Sequence, residues 1–208
     1  MYDFLTDLDE YFCENYANYD RICSLPGYEM PVMQRSKVEV DGRTYAYTLP
    51  AERMRLSEQK AKKALLAELK LRMTDTTFSF SFRPQNIFSR VKNCFSKHAP
   101  YKGLATLLKV YGLTEEEAGE QLDISKEIWQ AICKGKFLPS KNLVLSLALT
   151  AGFSYGDTAA LLSLCGEEMD SSIVKDVVIS YLLTRKVYNL DMIKAALAEY
   201  RVENLFIK

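Results

Sequence analysis

The stretch from Thr114 to Ser140 reads TEEEAGEQLDISKEIWQAICKGKFLPS. Its opening, Thr114-Glu115-Glu116-Glu117, has the Thr-x-x-Glu form of a capping box. In that motif the hydroxyl accepts the amide hydrogen of the third helical residue, whose carboxylate accepts the threonine amide in return. A helix is therefore expected to start just after Gly112. It must be short, because Leu122-Asp123-Ile124-Ser125 interrupts it: aspartate tolerates the left-handed backbone of a tight turn, and Ser125 can cap a second helix. Trp129 and Ile132 face inward from that second helix, which Gly135 ends. Pro139 and Ser140 open a third helix, strongly apolar through Leu143, Leu145, Leu147, Ala148 and Ala151. The local reading is helix, turn, helix; the plain alternative is the core of a helical bundle.

Beyond Ser140, apolar residues keep a helical spacing to the end of the chain. Helices are expected at 101–111, 115–122, 126–134, 140–151, 155–165, 171–185 and 190–200. The last two carry an apolar stripe of Ile173, Val177, Val178, Tyr181 and Leu182, followed by Tyr188, Met192, Ile193, Ala196 and Leu197. Packing on the preceding bundle explains the stripe, and a dimerisation or partner face is the sharper alternative.

Toward the N-terminus the pattern is mixed. Phe4, Leu8, Tyr11, Phe12, Tyr16 and Tyr19 predict a helix from about Asp3 to Cys23, stopped by Leu25-Pro26-Gly27. Lys37–Val40 and Arg43–Thr48 flank Asp41-Gly42, a dipeptide suited to the two positive-φ positions of a hairpin turn. Ala51 to Met73 reads as a helix with Met54, Ala61, Leu65, Leu69 and Met73 on one side. Phe78, Phe80 and Phe82 alternate as in a strand over 77–83, and 86–97 reads as a short amphipathic helix before His98. The expected fold is mainly α: a small α+β N-terminal unit over 1–99 with a hairpin at about 37–48, then a multi-helix bundle over 100–208 containing a helix-turn-helix at 114–134.

The 208 residues include 27 basic and 27 acidic side chains and are 48% apolar, which excludes a polycationic coat or a disordered acidic tail. The neutral total hides an uneven distribution. Residues 1–54 carry net −5, 55–99 net +7 and 100–208 net −2. Five widely spaced cysteines without a C-x-x-C pair argue against a disulfide framework or a structural zinc site. The acidic start does not resemble a secretory signal, and no apolar run reaches the roughly 18 residues of a membrane span. The expectation is a cytoplasmic protein with no membrane partner.

Catalytic, cofactor and metal sites are not expected. His98 is the single histidine, and a Cys94–His98 pair lacks any recognisable orienting group or oxyanion donor. Cys133 and Cys165 read as small buried hydrophobes. Asp7, Asp9, Glu10 and Glu14 read as a solvated acidic face. Glycine-rich phosphate loops are absent from the sequence. The aromatic and cationic run from Lys60 to Lys97 leaves one further possibility, stacking of single-stranded bases; a core-facing strand explains its phenylalanines more simply.

With these residues in view, the chain from about 104 to 165 resembles the DNA-binding domain of the phage-repressor and Cro type. The resemblance rests on Thr114 to Ser125, Trp129, Ile132, Lys134-Gly135-Lys136, Pro139-Ser140 and Ala148 to Ser154. Asp123 stands where that family usually has glycine, and Cys133 where it often has glutamate. The resemblance implies that Gly119 fills the small-residue position where two helices cross, and that Lys126 to Lys134 is the helix entering the major groove. The whole C-terminal half also looks like a helical module of uncharacterised bacterial multidomain proteins.

Two functions follow as expectations for a non-enzymatic binding protein. The first is a DNA-binding regulator contacting double-stranded DNA, with Lys126, Gln130 and Lys134 toward the groove and Ser125, Lys136, Ser140 and Lys141 on phosphates. The N-terminal unit would then dimerise or sense a partner. The second is an interaction adaptor in a bacterial multiprotein stress or defence system, with a protein partner or a homodimer in place of DNA.

Overall fold

The helix from Lys141 to Ala151 is apolar on nearly every side, and such a helix has to be surrounded by others. All of Leu143 to Leu149 is buried. The computed structural model describes residues 2–16, 35–40, 43–48, 66–67, 69–71, 82–96, 98–202 and 205–208. The elements, in chain order, are α1 (Tyr2–Asn15), β1 (Arg35–Val40), β2 (Arg43–Thr48), β3 (Arg83–Pro84), α2 (Ile87–Phe95), α3 (Pro100–Val110), α4 (Glu115–Gln121) and α5 (Lys126–Cys133). They continue with β4 (Phe137–Leu138), α6 (Lys141–Ala151), α7 (Tyr155–Leu164), α8 (Val174–Thr184) and α9 (Leu190–Glu199). The protein is mainly α with a small antiparallel hairpin, the expected fold class.

Local chemistry sets the helix starts. The Ser125, Ser140 and Ser154 hydroxyls and the Asn86 and Asn189 amide oxygens each accept a backbone amide hydrogen from the first turn they precede. The helices expected after residue 100 accordingly begin and end within a residue or so of the observed ones. The exception is α8, which starts at Val174 rather than 171, after a turn in which Ser172 N–H donates to Asp170 Oδ1 and Ile173 N–H to the Asp170 carbonyl.

The chain divides into two compact units, Ala17–Met73 and Met1–Tyr16 with Thr74–Lys208. The first contains the hairpin, in which Val40 pairs with Arg43 and Arg35 with Thr48, so that two residues link the strands as Asp41-Gly42 suggests. The structure extends β1 two residues before the expected Lys37. Residues 66–67 and 69–71 are helical, with Leu69 buried as the periodicity requires. The rest of the expected helix over 51–73, residues 17–23 and the phenylalanines at 78 and 80 lie outside the described residues.

The second unit is built round α6, which packs against α4, α7 and α8; α3 packs on α4, α5 and α7, and α9 on α8. The terminal helices therefore close the bundle, as the plain reading of their stripe expects. The grouping differs from a division at residue 99, because α1, packed on α8, and the chain from Thr74 onward both belong to this unit. Leu8, Phe12 and Tyr16 are buried along its inner face. Asp7 accepts a hydrogen bond from the Tyr181 hydroxyl (2.9 Å) and pairs with Arg185 (3.1 Å). Asp9 accepts from the buried Tyr200 hydroxyl at 2.7 Å. These two carboxylates thus serve as structural acceptors, Asp7 with its side chain still 44% exposed, while Glu10 and Glu14 are exposed as the sequence suggests.

Candidate nucleic-acid interface

The candidate surface begins with α4. Its capping box is complete: Glu117 N–H donates to Thr114 Oγ1 (3.2 Å) and Thr114 N–H to Glu117 Oε2 (2.9 Å). Those hydrogen bonds hold the Glu117 carboxyl below its usual range. Ala118 and Leu122 are buried, and the chain turns at 122–125 into α5.

The two helices meet at Gly119 and Trp129. A β-carbon on Gly119 would lie 2.6 Å from Trp129 Cδ1 and 2.8 Å from Nε1, so only glycine permits this approach. The same edge of the indole is tied to α4, where Nε1–H donates to the Glu115 carbonyl at 2.6 Å. Trp129 and Ile132 fill the inner side of α5. Lys126, Gln130 and Lys134 recur four residues apart along the outer side, and all three are exposed. The principal packing partners of α5 are α3, α4 and β4, not the terminal helices, so its outer side stays open.

Gly135 ends α5 with φ +67°, and its N–H donates to the Ile132 carbonyl at 2.8 Å. The turn presents Lys136 in an exposed position beside Lys134. The Lys136 carbonyl then accepts from Gln85 N–H (2.9 Å), and β4 pairs with β3 through Arg83 opposite Leu138 and Pro84 opposite Phe137. In this ribbon Arg83 forms an ion pair with Glu167. It lies at the end of the strand expected over 77–83, and no local pattern indicates its partner.

Of the seven residues expected at DNA, five are presented together: Ser125, Lys126, Gln130, Lys134 and Lys136 are exposed on and around α5. Ser125 also spends its oxygen on capping Ile128 N–H. The remaining two face the fold. Ser140 is half-buried and caps α6, accepting from Leu143 N–H at 3.3 Å. Lys141 forms an ion pair with Asp176 of α8, a carboxylate only 2% exposed that also accepts from Asp170 N–H (2.7 Å). Burial raises the Asp176 carboxyl above its ordinary range, against the opposing pull of the Lys141 ammonium. The structure gives Lys141 a structural partner in Asp176, whose buried charge its ammonium compensates.

The electrostatics are divided. Lys126, Lys134 and Lys136 outnumber Glu127 on α5 and its exit, whereas Glu115, Glu116, Glu117 and Glu120 are exposed on α4. Burial pushes the Cys133 and Cys165 thiols up to about 12, consistent with small hydrophobes rather than nucleophiles. Cys94 and His98 are both exposed, and no hydrogen bond joins them. Among the described residues there is no cluster of three His, Cys, Asp or Glu side chains, and no helix is long and apolar enough to cross a membrane. No family model matches the chain, and neither the curated proteins nor the solved structures contain a significant match.

Proposed function

We propose that the chain is a non-enzymatic binding protein of the cytoplasm that engages double-stranded DNA with the outer side of α5. The observation that carries this reading is the rigid presentation of Lys126, Gln130 and Lys134 on one exposed edge, locked from behind by the fit of Trp129 on Gly119. Gln130 offers a donor and an acceptor to base edges, and the lysines neutralise phosphates, with Lys136 extending the backbone contact. Three lysines make a small electrostatic footprint. Mixed-sequence duplex binding, followed by fluorescence anisotropy, should therefore show a log K against log salt slope of about −2 to −3. Lys134→Glu with Lys136→Glu should abolish it. No binding at low salt overturns the proposal.

The exposed glutamates of α4 favour a second reading. In it the same edge docks a protein partner, for which the acidic helix supplies charge complementarity and, as an adaptor, the chain needs no DNA. The absence of duplex binding together with unaltered folding would select that reading.

A further inference from the structure

The helix α2 is amphipathic in the sense opposite to a core helix. Ile87, Phe88, Val91 and Phe95 share one side, and their exposures are 74, 89, 53 and 86%. Among the described residues none of α2 is buried. Its polar side and its end provide the attachments instead. Asn93, half-buried, donates from Nδ2 to Gln85 Oε1 at 2.8 Å. Lys102 Nζ donates to the Cys94 and Ser96 carbonyls (2.7 and 2.9 Å), satisfying acceptors at the helix C-terminus. The Asn86 side chain caps the other end, accepting from Ser89 N–H at 2.7 Å. Both termini are thus secured while the apolar side points outward.

The charges beside that side are of one sign. At about 100° per residue, Arg90 and Lys92 lie on the two edges of the apolar stripe. Both are exposed, and α2 has no acidic residue. A convex apolar ridge with one cation on each edge fits a surface that can close round it and offers anions on both sides. We propose that α2 lies in the headgroup region of an anionic phospholipid bilayer, with Ile87, Phe88, Val91 and Phe95 inserted and Arg90 and Lys92 on lipid phosphates. Nine residues span about 14 Å, which suits a helix in the plane of the interface and not one across the bilayer.

Two other occupants fit less well. A second copy would bring arginine and lysine edges against their own equivalents. The four side chains also offer at most about 600 Å², short of the roughly 800 Å² per partner of a standard interface. Single-stranded nucleic acid needs successive aromatic faces, whereas on this side Val91 separates Phe88 from Phe95 along the helix.

The test is sedimentation of the full chain with phosphatidylcholine vesicles containing about one third phosphatidylglycerol, beside vesicles of phosphatidylcholine alone. The anionic vesicles should bind at least about tenfold more tightly, and Phe88→Ser with Phe95→Ser, or Arg90→Glu with Lys92→Glu, should each lower binding by about tenfold or more. All four residues are exposed, so thermal unfolding by circular dichroism should be unchanged. Lys134→Glu with Lys136→Glu should leave vesicle binding intact, which separates this surface from α5. The proposal is overturned by no sedimentation with either vesicle, by binding that survives the serine pair, or by equal loss in the Lys134 and Lys136 variant. It is equally overturned if the serine pair instead dissociates a dimer or abolishes binding to an oligothymidylate.

Discussion

Replacing Gly119 with alanine tests the physical basis of the α4–α5 crossing. Inside a helix that change ordinarily stabilises by about 0.5–1 kcal/mol, because glycine loses more backbone freedom on folding. Here the new methyl carbon would stand 2.6 Å from Trp129 Cδ1 and 3.2 Å from Cγ, well inside the roughly 3.5–4.0 Å of a relaxed carbon contact. The indole has nowhere to go, being 4% exposed and tied to the Glu115 carbonyl. The helices must part, at about 1–3 kcal/mol for overpacking and about 1 kcal/mol for a weakened hydrogen bond. After the propensity gain, the expected net loss is about 1–3 kcal/mol.

Gly103 in α3 is the matched control. A β-carbon there would meet Leu164 Cδ1 at 2.5 Å, but that atom is the end of a flexible, half-buried side chain that can turn aside. Gly103→Ala should therefore lie between neutral and about 1 kcal/mol more stable. Trp129 is the only tryptophan, so urea unfolding followed by its fluorescence reports this unit directly. A Gly119→Ala protein as stable as the parent, with unshifted emission, would show that the crossing does not need glycine.

Lys141→Met should cost about 3–5 kcal/mol near neutral pH, since it strands the Asp176 carboxylate in the interior. Burial raises the Asp176 carboxyl above its unfolded value, so its stabilising contribution is full below the ordinary aspartate range and is lost as pH rises through the raised value. The Lys141→Met deficit should accordingly shrink on acidification; urea melts showing an equal deficit in neutral and acid buffer would contradict the burial of that charge. Tyr200→Phe removes the donor to Asp9 and should cost about 1–2 kcal/mol, with hydrogen exchange in α1 rising selectively if that bond anchors the helix. Lys186 is exposed after α8 with φ +55°, a position where glycine relieves side-chain strain. Lys186→Gly should raise stability by about 1 kcal/mol, measurable as a higher melting temperature.

Much of this architecture is written in short-range chemistry. Thr114, Ser125, Ser140, Ser154 and Asn189 start their helices because a cap oxygen needs only the amides two or three residues ahead. The hairpin register follows equally locally from two residues between strands, and the inward side of α5 follows from the spacing of Trp129 and Ile132. Five of the candidate contact residues could be named for that reason: an exposed edge is the complement of a buried one.

The three-dimensional packing decided the rest. The pairing of Lys141 with Asp176 depended on a helix 35 positions further on, and the acceptor roles of Asp7 and Asp9 depended on tyrosines more than 170 residues away. Periodicity likewise located an apolar side on α2 but not its direction, which follows from the attachments made by Gln85, Asn93 and Lys102. A residue's own neighbours determine its backbone conformation and the side it occupies; which group compensates its charge or covers its surface is determined only when distant segments come together.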